Sequence, residues 1–232
     1  MTDQFERQIN YLRVSITDRC NLNCFYCMPN GVPLLQHADI LRYEEIVRLV
    51  RIAASLGITK VRITGGEPLV RKGCADLIRM LHDIPEIETI ALTTNGVLLQ
   101  ELLPDLVQAG LQAVNISLDT LQPERFRAIT GRDTMPDWRV LLRACVQAGL
   151  KTKTNTVLLA ENREEWETIA ALAQELPISV RYLGTSVLLP TIPKSLFSIL
   201  STTAWTMNLS TALPNVRREI PHIQRLSRCR LA

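Results

Sequence analysis

Apolar and polar positions along the chain follow two alternating periods, one typical of strands and one typical of helices. Short runs rich in β-branched residues, bounded by turn signals, favour strands. Between them, apolar residues recur at helical spacing, as with Ile46, Val50 and Ala53, which indicates amphipathic helices. The pattern predicts strands at 11–17, 60–64, 89–95, 113–119, 151–159 and 178–182 and helices at 43–57, about 72–83, 98–109, 163–175 and, in two pieces broken around Gly131 and Pro136, 123–148.

This alternation of strands and helices is typical of βαβ units and a parallel sheet. Right-handed crossovers would place the helices on one side if the sheet curls. A complete eight-fold barrel needs about 250 residues. Six strands by residue 182 therefore predict an α/β fold of the partial (βα)6 TIM-like barrel type, and the pattern leaves an open doubly wound sheet as the alternative.

The regular pattern ends at about residue 183 and gives way to an atypical tail, 184–232. The tail is rich in Ser, Thr, Leu and Pro, and no acidic residue lies between Glu175 and Glu219. We expect two parts, a barrel at 1–183 and an irregular tail that does not belong to the fold, as a shifted reading frame would produce. The alternative is a small irregular C-terminal extension.

Composition narrows the class of protein without identifying it. The chain has 232 residues, 47% of them hydrophobic, and a net charge of +3. The start of the chain lacks an apolar stretch after a basic region, and no run of 18 apolar residues occurs, so we expect a cytoplasmic protein with no membrane span. Basic residues of the tail are interleaved with Pro and apolar residues, so no nucleic-acid partner is expected.

Three of the six cysteines, Cys20, Cys24 and Cys27, cluster directly after the first predicted strand. A structural zinc ion takes four ligands, and a cubane iron–sulfur cluster is normally held by four cysteines. Three thiolates leave one iron open to a substrate or cofactor, and loops after barrel strands build active sites. The alternatives are a zinc site that recruits a distant fourth ligand, or thiols unrelated to a metal.

The turn "TGGEPL" at 64–69 follows the second predicted strand. Its two glycines let the backbone approach a ligand, Glu67 can accept hydrogen bonds from an ammonium group, and Pro68 fixes the turn. Arg71 and Lys72, which follow the turn, are expected to face solvent. Taken alone, such a turn is a common strand-to-helix loop.

The cysteine spacing, with the aromatic Tyr26 before the last cysteine, resembles the signature of the radical S-adenosylmethionine (SAM) superfamily. The resemblance implies a partial or full (βα) barrel in which SAM chelates the fourth iron through its amino and carboxylate groups. It also implies that an electron from the cluster cleaves SAM to a 5′-deoxyadenosyl radical. The glycine turn occupies the place where this superfamily contacts the SAM amino group.

Further stretches resemble one family, the GTP 3′,8-cyclases of molybdenum cofactor biosynthesis. They are "LRVSITDRCNLNCFYCMP", "VRITGGEPLVRKG", "LTTNG", "NISLDTLQPERFRAITGR" and "GLKTKTNTV", and the match runs from about 10 to 182. The implied reaction abstracts the ribose 3′ hydrogen of GTP and joins that carbon to C8 of guanine, giving 3′,8-cyclo-7,8-dihydro-GTP. It needs no acid–base pair, so no catalytic side chain is predicted.

The resemblance also implies site residues, position by position. One 4Fe–4S cluster would be held by Cys20, Cys24 and Cys27. SAM would be contacted by Tyr26, Gly66 and Ser117, and GTP by Arg13, Arg62, Thr93 and Lys153. Basic side chains that face a barrel lumen lack partners unless an anion such as a triphosphate supplies one. The alternative for each is a salt bridge to a helix carboxylate.

The resemblance breaks down beyond residue 182. The family holds a second cluster with three C-terminal cysteines, whereas Cys229 is the only cysteine here after Cys145, so we expect that cluster to be absent. We expect the barrel to bind the first cluster and cleave SAM, and the chain to be inactive in complete GTP cyclisation if the C-terminus is lost. Implied partners are an electron donor such as flavodoxin or ferredoxin, cyclic pyranopterin monophosphate synthase downstream, and a second copy in a homodimer. Alternatives are a radical SAM enzyme with another substrate, a non-catalytic truncated remnant, and a zinc-binding module.

Overall fold

A computed structural model describes residue 6 and residues 8–27 and 35–184. Six parallel strands form one sheet, and neighbours in the sheet follow the order of the chain. The strands are β1 (Tyr11–Ser15), β2 (Lys60–Thr64), β3 (Thr89–Thr94), β4 (Ala113–Ser117), β5 (Lys151–Val157) and β6 (Ser179–Leu183). All six predicted strands are thus present, with ends that differ by at most two residues.

Helices connect successive strands, as predicted. They are α1 (Tyr43–Ser55), α2 (Cys74–His82), α3 (Leu99–Gln108), α4 (Pro123–Thr130), α5 (Trp138–Gln147) and α6 (Trp166–Glu175). Single 3-10 turns lie at His37–Asp39, Pro68–Val70 and Arg163–Glu165. Within the described ranges, no helix combines the length and apolar character needed to cross a membrane.

The predicted break between α4 and α5 has a local cause at each end. Gly131 follows α4 with φ of 67°, a left-handed conformation that glycine adopts without steric cost. The carboxylate of Asp137 accepts a hydrogen bond from the Val140 N–H at 3.0 Å and caps the start of α5. The chain therefore makes a turn at 131–137 instead of continuing as one long helix.

The strand order decides between the two folds that the sequence pattern left open. A doubly wound sheet reverses its order at a switch point, and this sheet runs from β1 to β6 without reversal. The fold is therefore of the partial-barrel type. Of the predicted tail, residues 185–232 lie outside the described residues, so the division at residue 183 stays a prediction.

The two faces of the sheet differ sharply in chemistry because alternate side chains of a strand point to opposite sides. One face carries apolar residues, such as Val14, Ile63, Leu92 and Ile116, which belong to the buried core shared with the helices. The other face carries mostly polar and charged residues, in aligned rows. These rows pair Arg13 with Arg62, Thr93 with Asn115 and Lys153, and Ser117 with Asn155 and Arg181.

Arg71 ties the glycine turn to two other segments, which corrects the expectation that it faces solvent. Its Nη1 donates to the carbonyl oxygen of Ile16 at 2.6 Å and its Nη2 to that of Leu41 at 2.8 Å. The guanidinium also lies 4.2 Å from the centre of the Tyr43 ring. Arg71 therefore joins the end of β1 to the chain that enters α1.

We predict that Arg71→Met lowers the free energy of unfolding by about 1–3 kcal/mol, because two partly buried carbonyls lose a charged donor. Urea denaturation followed by circular dichroism measures the loss. The matched control is Lys72→Met, whose side chain is exposed and which should stay within about 0.5 kcal/mol of the parent chain. Equal stability of the two variants would contradict the role assigned to Arg71.

Candidate functional site

A cavity of about 200 Å³ lies where the carboxyl ends of the central strands meet the loops that follow them. This is the end of a parallel barrel at which active sites are built. Eight of the ten residues predicted for the site line this cavity, namely Arg13, Cys20, Cys24, Tyr26, Cys27, Gly66, Thr93 and Ser117. The other two, Arg62 and Lys153, are strand residues outside its lining.

The cysteine loop is held on one side by the end of α4. The backbone N–H of Asn23 donates to Thr130 O at 2.9 Å, and that of Phe25 donates to Ile129 O at 3.1 Å. The guanidinium Nε of Arg132 donates to Asn21 O at 3.1 Å. The stretch "AITGR", which follows "ERFR" in the motif, therefore acts as a backbone support for the loop that carries the three thiols.

The glycine turn holds the entrance of the same loop from the other side. Gly66 N–H donates to Thr17 O at 2.7 Å, and Glu67 N–H donates to Arg19 O at 2.8 Å. A Cβ atom on Gly66 would lie 2.3 Å from Arg19 O, so only glycine fits at this contact. Because glycine has no side chain, the turn can approach the backbone of Thr17 and Arg19 closely, in addition to any approach to a ligand.

Glu67 is a buried tie between this turn and the loop after β3. It is 1% exposed, and its carboxylate accepts from Leu69 N–H at 3.0 Å, from the Thr94 hydroxyl at 2.8 Å and from Asn95 N–H at 2.7 Å. Burial raises its pKa, and the three donors oppose that rise. The expectation that Glu67 accepts hydrogen bonds from an ammonium group stays a prediction, and in the structure its carboxylate accepts from three donors inside the protein.

The three clustered thiols are free and share the cavity, whereas Cys74 and Cys145 are buried elsewhere. Burial, followed by the nearby Asp119 charge, raises the pKa of Cys24 to about 12, and burial also raises the pKa of Cys20. In the part of the chain that the structure describes, no group of three or more His, Cys, Asp or Glu residues is arranged to hold a metal ion. A cubane does not need such an arrangement around a single ion, because each of its cysteine ligands binds a different iron.

Tyr26 is fixed by a buried acid at the end of β4. Its hydroxyl donates to Asp119 Oδ2 at 2.5 Å, and Val157 N–H donates to Asp119 Oδ1 at 2.8 Å. Burial raises the pKa of both Tyr26 and Asp119. This contact joins the last turn of the cysteine loop to the ends of β4 and β5 and holds the ring at the cavity wall.

A cationic group on the polar face of the sheet extends from the cavity. It comprises Arg13, Arg62, Lys153 and Arg181. Desolvation lowers the pKa of Arg62 despite the adjacent Tyr11, whose ring centre lies 5.4 Å away, and Arg181 and Arg13 lower it further. Desolvation and then the charges of Arg181, Arg62 and Lys151 lower the pKa of Lys153. Arg62 and Lys153 thus lie in a field of positive charge to which neighbouring cations of this group contribute.

The cationic group has no acidic partner among the described residues. The ion pairs found there all involve other side chains, which removes the alternative of salt bridges to helix carboxylates. The buried Nε atoms of Arg13 and Arg62 also lack hydrogen-bond partners within the described ranges. Unpaired, partly buried guanidinium groups are costly, and a multiply charged anion such as a polyphosphate would satisfy them.

Asn115 and Arg181 lie on the same polar face of the sheet as the predicted residues, and the sequence-based prediction did not name them. Asn115 is 2% exposed, lies between Thr93 and Lys153 in the sheet, and has an Nδ2 atom with no partner among the described residues. Arg181 stands on β6 beside Asn155. Both could have been found from the alternation of side chains along a strand, since each lies on the same side of the sheet as the predicted residues of the neighbouring strands.

Comparisons with known proteins agree with this geometry. The family described as "Radical SAM superfamily" matches residues 14–173. A GTP 3′,8-cyclase from Moorella thermoacetica is 52% identical over 186 residues, which cover 79% of this chain and 58% of that protein. Molybdenum cofactor biosynthesis protein 1 from Mus musculus is 46% identical over 79% of this chain and 29% of its own length. The chain thus spans little more than half the length of the bacterial relative.

Solved structures share the fold at low sequence identity. Streptococcus suis SuiB bound to S-adenosylmethionine aligns with a TM-score of 0.65 at 20% identity, over 94% of this chain and 48% of that chain. Native anSMEcpe with bound AdoMet aligns with a TM-score of 0.61 at 16% identity, over 75% of this chain and 51% of that chain. Both likenesses concern the barrel architecture.

We predict that alkylation of Cys24 by iodoacetamide in the metal-free chain rises about tenfold per pH unit from about pH 7 to 10 without a plateau. The reason is that burial raises the pKa of this thiol to about 12, and the thiolate is the reacting form. Cys20→Ser and Cys27→Ser remove the two neighbouring thiols, and mass spectrometry of the peptide that carries Cys24 reads its alkylation separately from that of the other cysteines.

Free cysteine is the reference for this experiment, and its rate should level off near its ordinary pKa of about 8.5. A plateau for Cys24 at the same pH would show that the loop does not desolvate the thiol as described.

Proposed function

The chain belongs to the radical SAM superfamily, and on that basis we propose that it is a GTP 3′,8-cyclase that binds one 4Fe–4S cluster and SAM. The observation that supports this most directly is a single site in which three free thiols and a group of unpaired cations are joined through Arg13, which belongs to both. One end of such a site suits an iron–sulfur cluster, and the other suits a triphosphate.

The thiol end of the site fits a cluster with one open iron. Cys20, Cys24 and Cys27 would be its ligands, and SAM would complete it in contact with Tyr26, Gly66 and Ser117. When bound, the cluster supplies the electron that cleaves SAM. The protein holds the cysteine loop between the glycine turn and the end of α4, and it holds the Tyr26 ring through Asp119.

The cationic end of the site would hold the triphosphate of GTP. Arg13, Arg62, Lys153 and Arg181 have no acidic partner among the described residues, so their charge is available to phosphate oxygens. Thr93 would contact the same nucleotide, since it lines the cavity on the neighbouring strand. Fixing the phosphates at one end of the site would position the nucleoside at the cluster end.

Further parts of this proposal concern the setting of the reaction. The product would be 3′,8-cyclo-7,8-dihydro-GTP, passed to cyclic pyranopterin monophosphate synthase, and the electron would come from a donor such as flavodoxin or ferredoxin. A cytoplasmic location and a homodimer belong to the same proposal. The family relationship supports each of these.

The deciding experiment is anaerobic reconstitution followed by iron counting and detection of 5′-deoxyadenosine with and without GTP. We expect about four irons per chain, as in a single cubane, and 5′-deoxyadenosine together with cyclised GTP. Product of SAM cleavage without cyclised GTP would contradict the proposed cyclase activity and would instead match a chain that has lost complete cyclisation or a radical SAM enzyme with another substrate. Zinc in place of iron, or no bound metal, would refute the proposal.

Two variants give this experiment its controls. Cys24→Ser should lose the cluster, since it removes one of three ligands. Cys145→Ala should keep about four irons, because Cys145 is fully buried among core residues away from the cavity. Loss of iron in both variants would indicate general unfolding.

We predict that Arg181→Met weakens GTP binding about ten- to hundredfold, because one charged hydrogen-bond donor contributes about 1.5–3 kcal/mol. Anaerobic titration calorimetry on the reconstituted chain measures the change. Arg143→Met, an exposed position on α5, is the matched control and should leave the affinity unchanged. Equal affinities for all three proteins would contradict a triphosphate site on this face of the sheet.

A further inference from the structure

The loop that follows β3 brings a side-chain amide to one of the three clustered thiols. Asn95 Nδ2 lies 3.8 Å from the Sγ atom of Cys20, within hydrogen-bond reach of a sulfur acceptor. The backbone N–H of Leu22 donates to the same sulfur at 3.4 Å. Among the described residues, no side-chain amide donates to Cys24 or Cys27, so the three thiols differ in their surroundings.

The Asn95 amide is fixed at each of its polar atoms. Its backbone N–H donates to Glu67 Oε2 at 2.7 Å, and its Oδ1 accepts from Val97 N–H at 3.1 Å. Its Nδ2 donates one hydrogen to Asn21 Oδ1 at 2.7 Å. Because Val97 supplies a donor, the oxygen must face Val97 and the nitrogen must face the cysteine loop.

We propose that Asn95 is a positioning residue that raises the reduction potential of the cluster by donating a hydrogen bond to the Cys20 sulfur. This inference rests on the proposed cluster at the three thiols. Reduction adds negative charge to a cluster and its thiolates, and a donor aimed at a ligand sulfur stabilises that form more than the oxidised one. Buried Glu67 contributes by holding the Asn95 backbone, so the glycine turn and the thiol are linked through two residues.

The test is the midpoint potential of the reconstituted chain, measured by redox titration with electron paramagnetic resonance. Asn95→Ser removes the amide donor, and Asn95→Asp keeps an acceptor for Val97 while replacing the donor by a carboxylate oxygen. Both should shift the potential to more negative values, with Asn95→Asp shifting further because it adds charge. Iron per chain should stay at the parent value.

Thr154→Val is the matched control, because it removes a buried hydroxyl that has no hydrogen-bond partner among the described residues and lies outside the cavity lining. Its potential should equal that of the parent chain. The inference is overturned if Asn95→Ser has the parent potential, or if Thr154→Val shifts equally. Failure of the parent chain to assemble a cluster would refute the proposed function instead, so the two failures are distinguishable.

A second measurement covers the case in which neither Asn95 variant binds iron. The parent chain, labelled with nitrogen-15 only in asparagine side-chain amides, is reduced and examined by pulsed electron paramagnetic resonance. A nitrogen-15 hyperfine coupling to the cluster that persists when Asn21 and Asn23 are both replaced by Asp, which has no side-chain nitrogen, supports the Asn95 contact. The absence of any such coupling overturns it.

Discussion

The whole site depends on a backbone contact between the glycine turn after β2 and the residues that follow β1. Gly66 N–H meets Thr17 O at 2.7 Å, and Glu67 N–H meets Arg19 O at 2.8 Å. The next residue along the chain is Cys20, so this contact determines where the cysteine loop starts. The contact is possible because Gly66 has no side chain. It stabilises the fold because it supplies hydrogen-bond partners for two backbone N–H groups in loops outside the helices and strands. Arg71 then secures the turn to β1 and α1.

The apolar face and the polar face of the sheet have different roles. Apolar residues pack with the helices into one core, which supplies stability. The opposite face carries cations and amides with unpaired atoms, among them Arg13, Arg62 and Asn115. Such groups reduce the stability of the ligand-free protein, and the core offsets this cost. Under the proposed function, such a surface would be prepared before its anion arrives, which would lower the reorganisation needed on binding.

Much of the fold followed from periodicity alone, because both the strand period and the helix period were clear and the break after α4 had a recognisable stop at Gly131. The choice between a barrel and a doubly wound sheet did not follow, because it depends on which strands are neighbours. The three thiols were evident from spacing. The roles of Glu67, Asp119 and Asn95 were not, since each acts through a partner far away in the sequence that only the fold brings near. The assignment of Arg71 to solvent failed for the same reason: its two carbonyl partners lie 55 and 30 positions away.

The cationic group also determines how the protein responds to its solvent. Where charges of opposite sign are paired at a protein surface, dissolved ions weaken the attraction between them. On the polar face of the sheet the neighbouring charges have the same sign, so dissolved ions screen a repulsion there. The residues concerned are Arg62, Lys153, Arg181 and Arg13. Dissolved salt therefore weakens a repulsion within this face of the sheet. Under the proposed function, inorganic anions bound there would compete with the triphosphate of the nucleotide, so a buffer chosen to preserve the purified protein would also inhibit ligand binding.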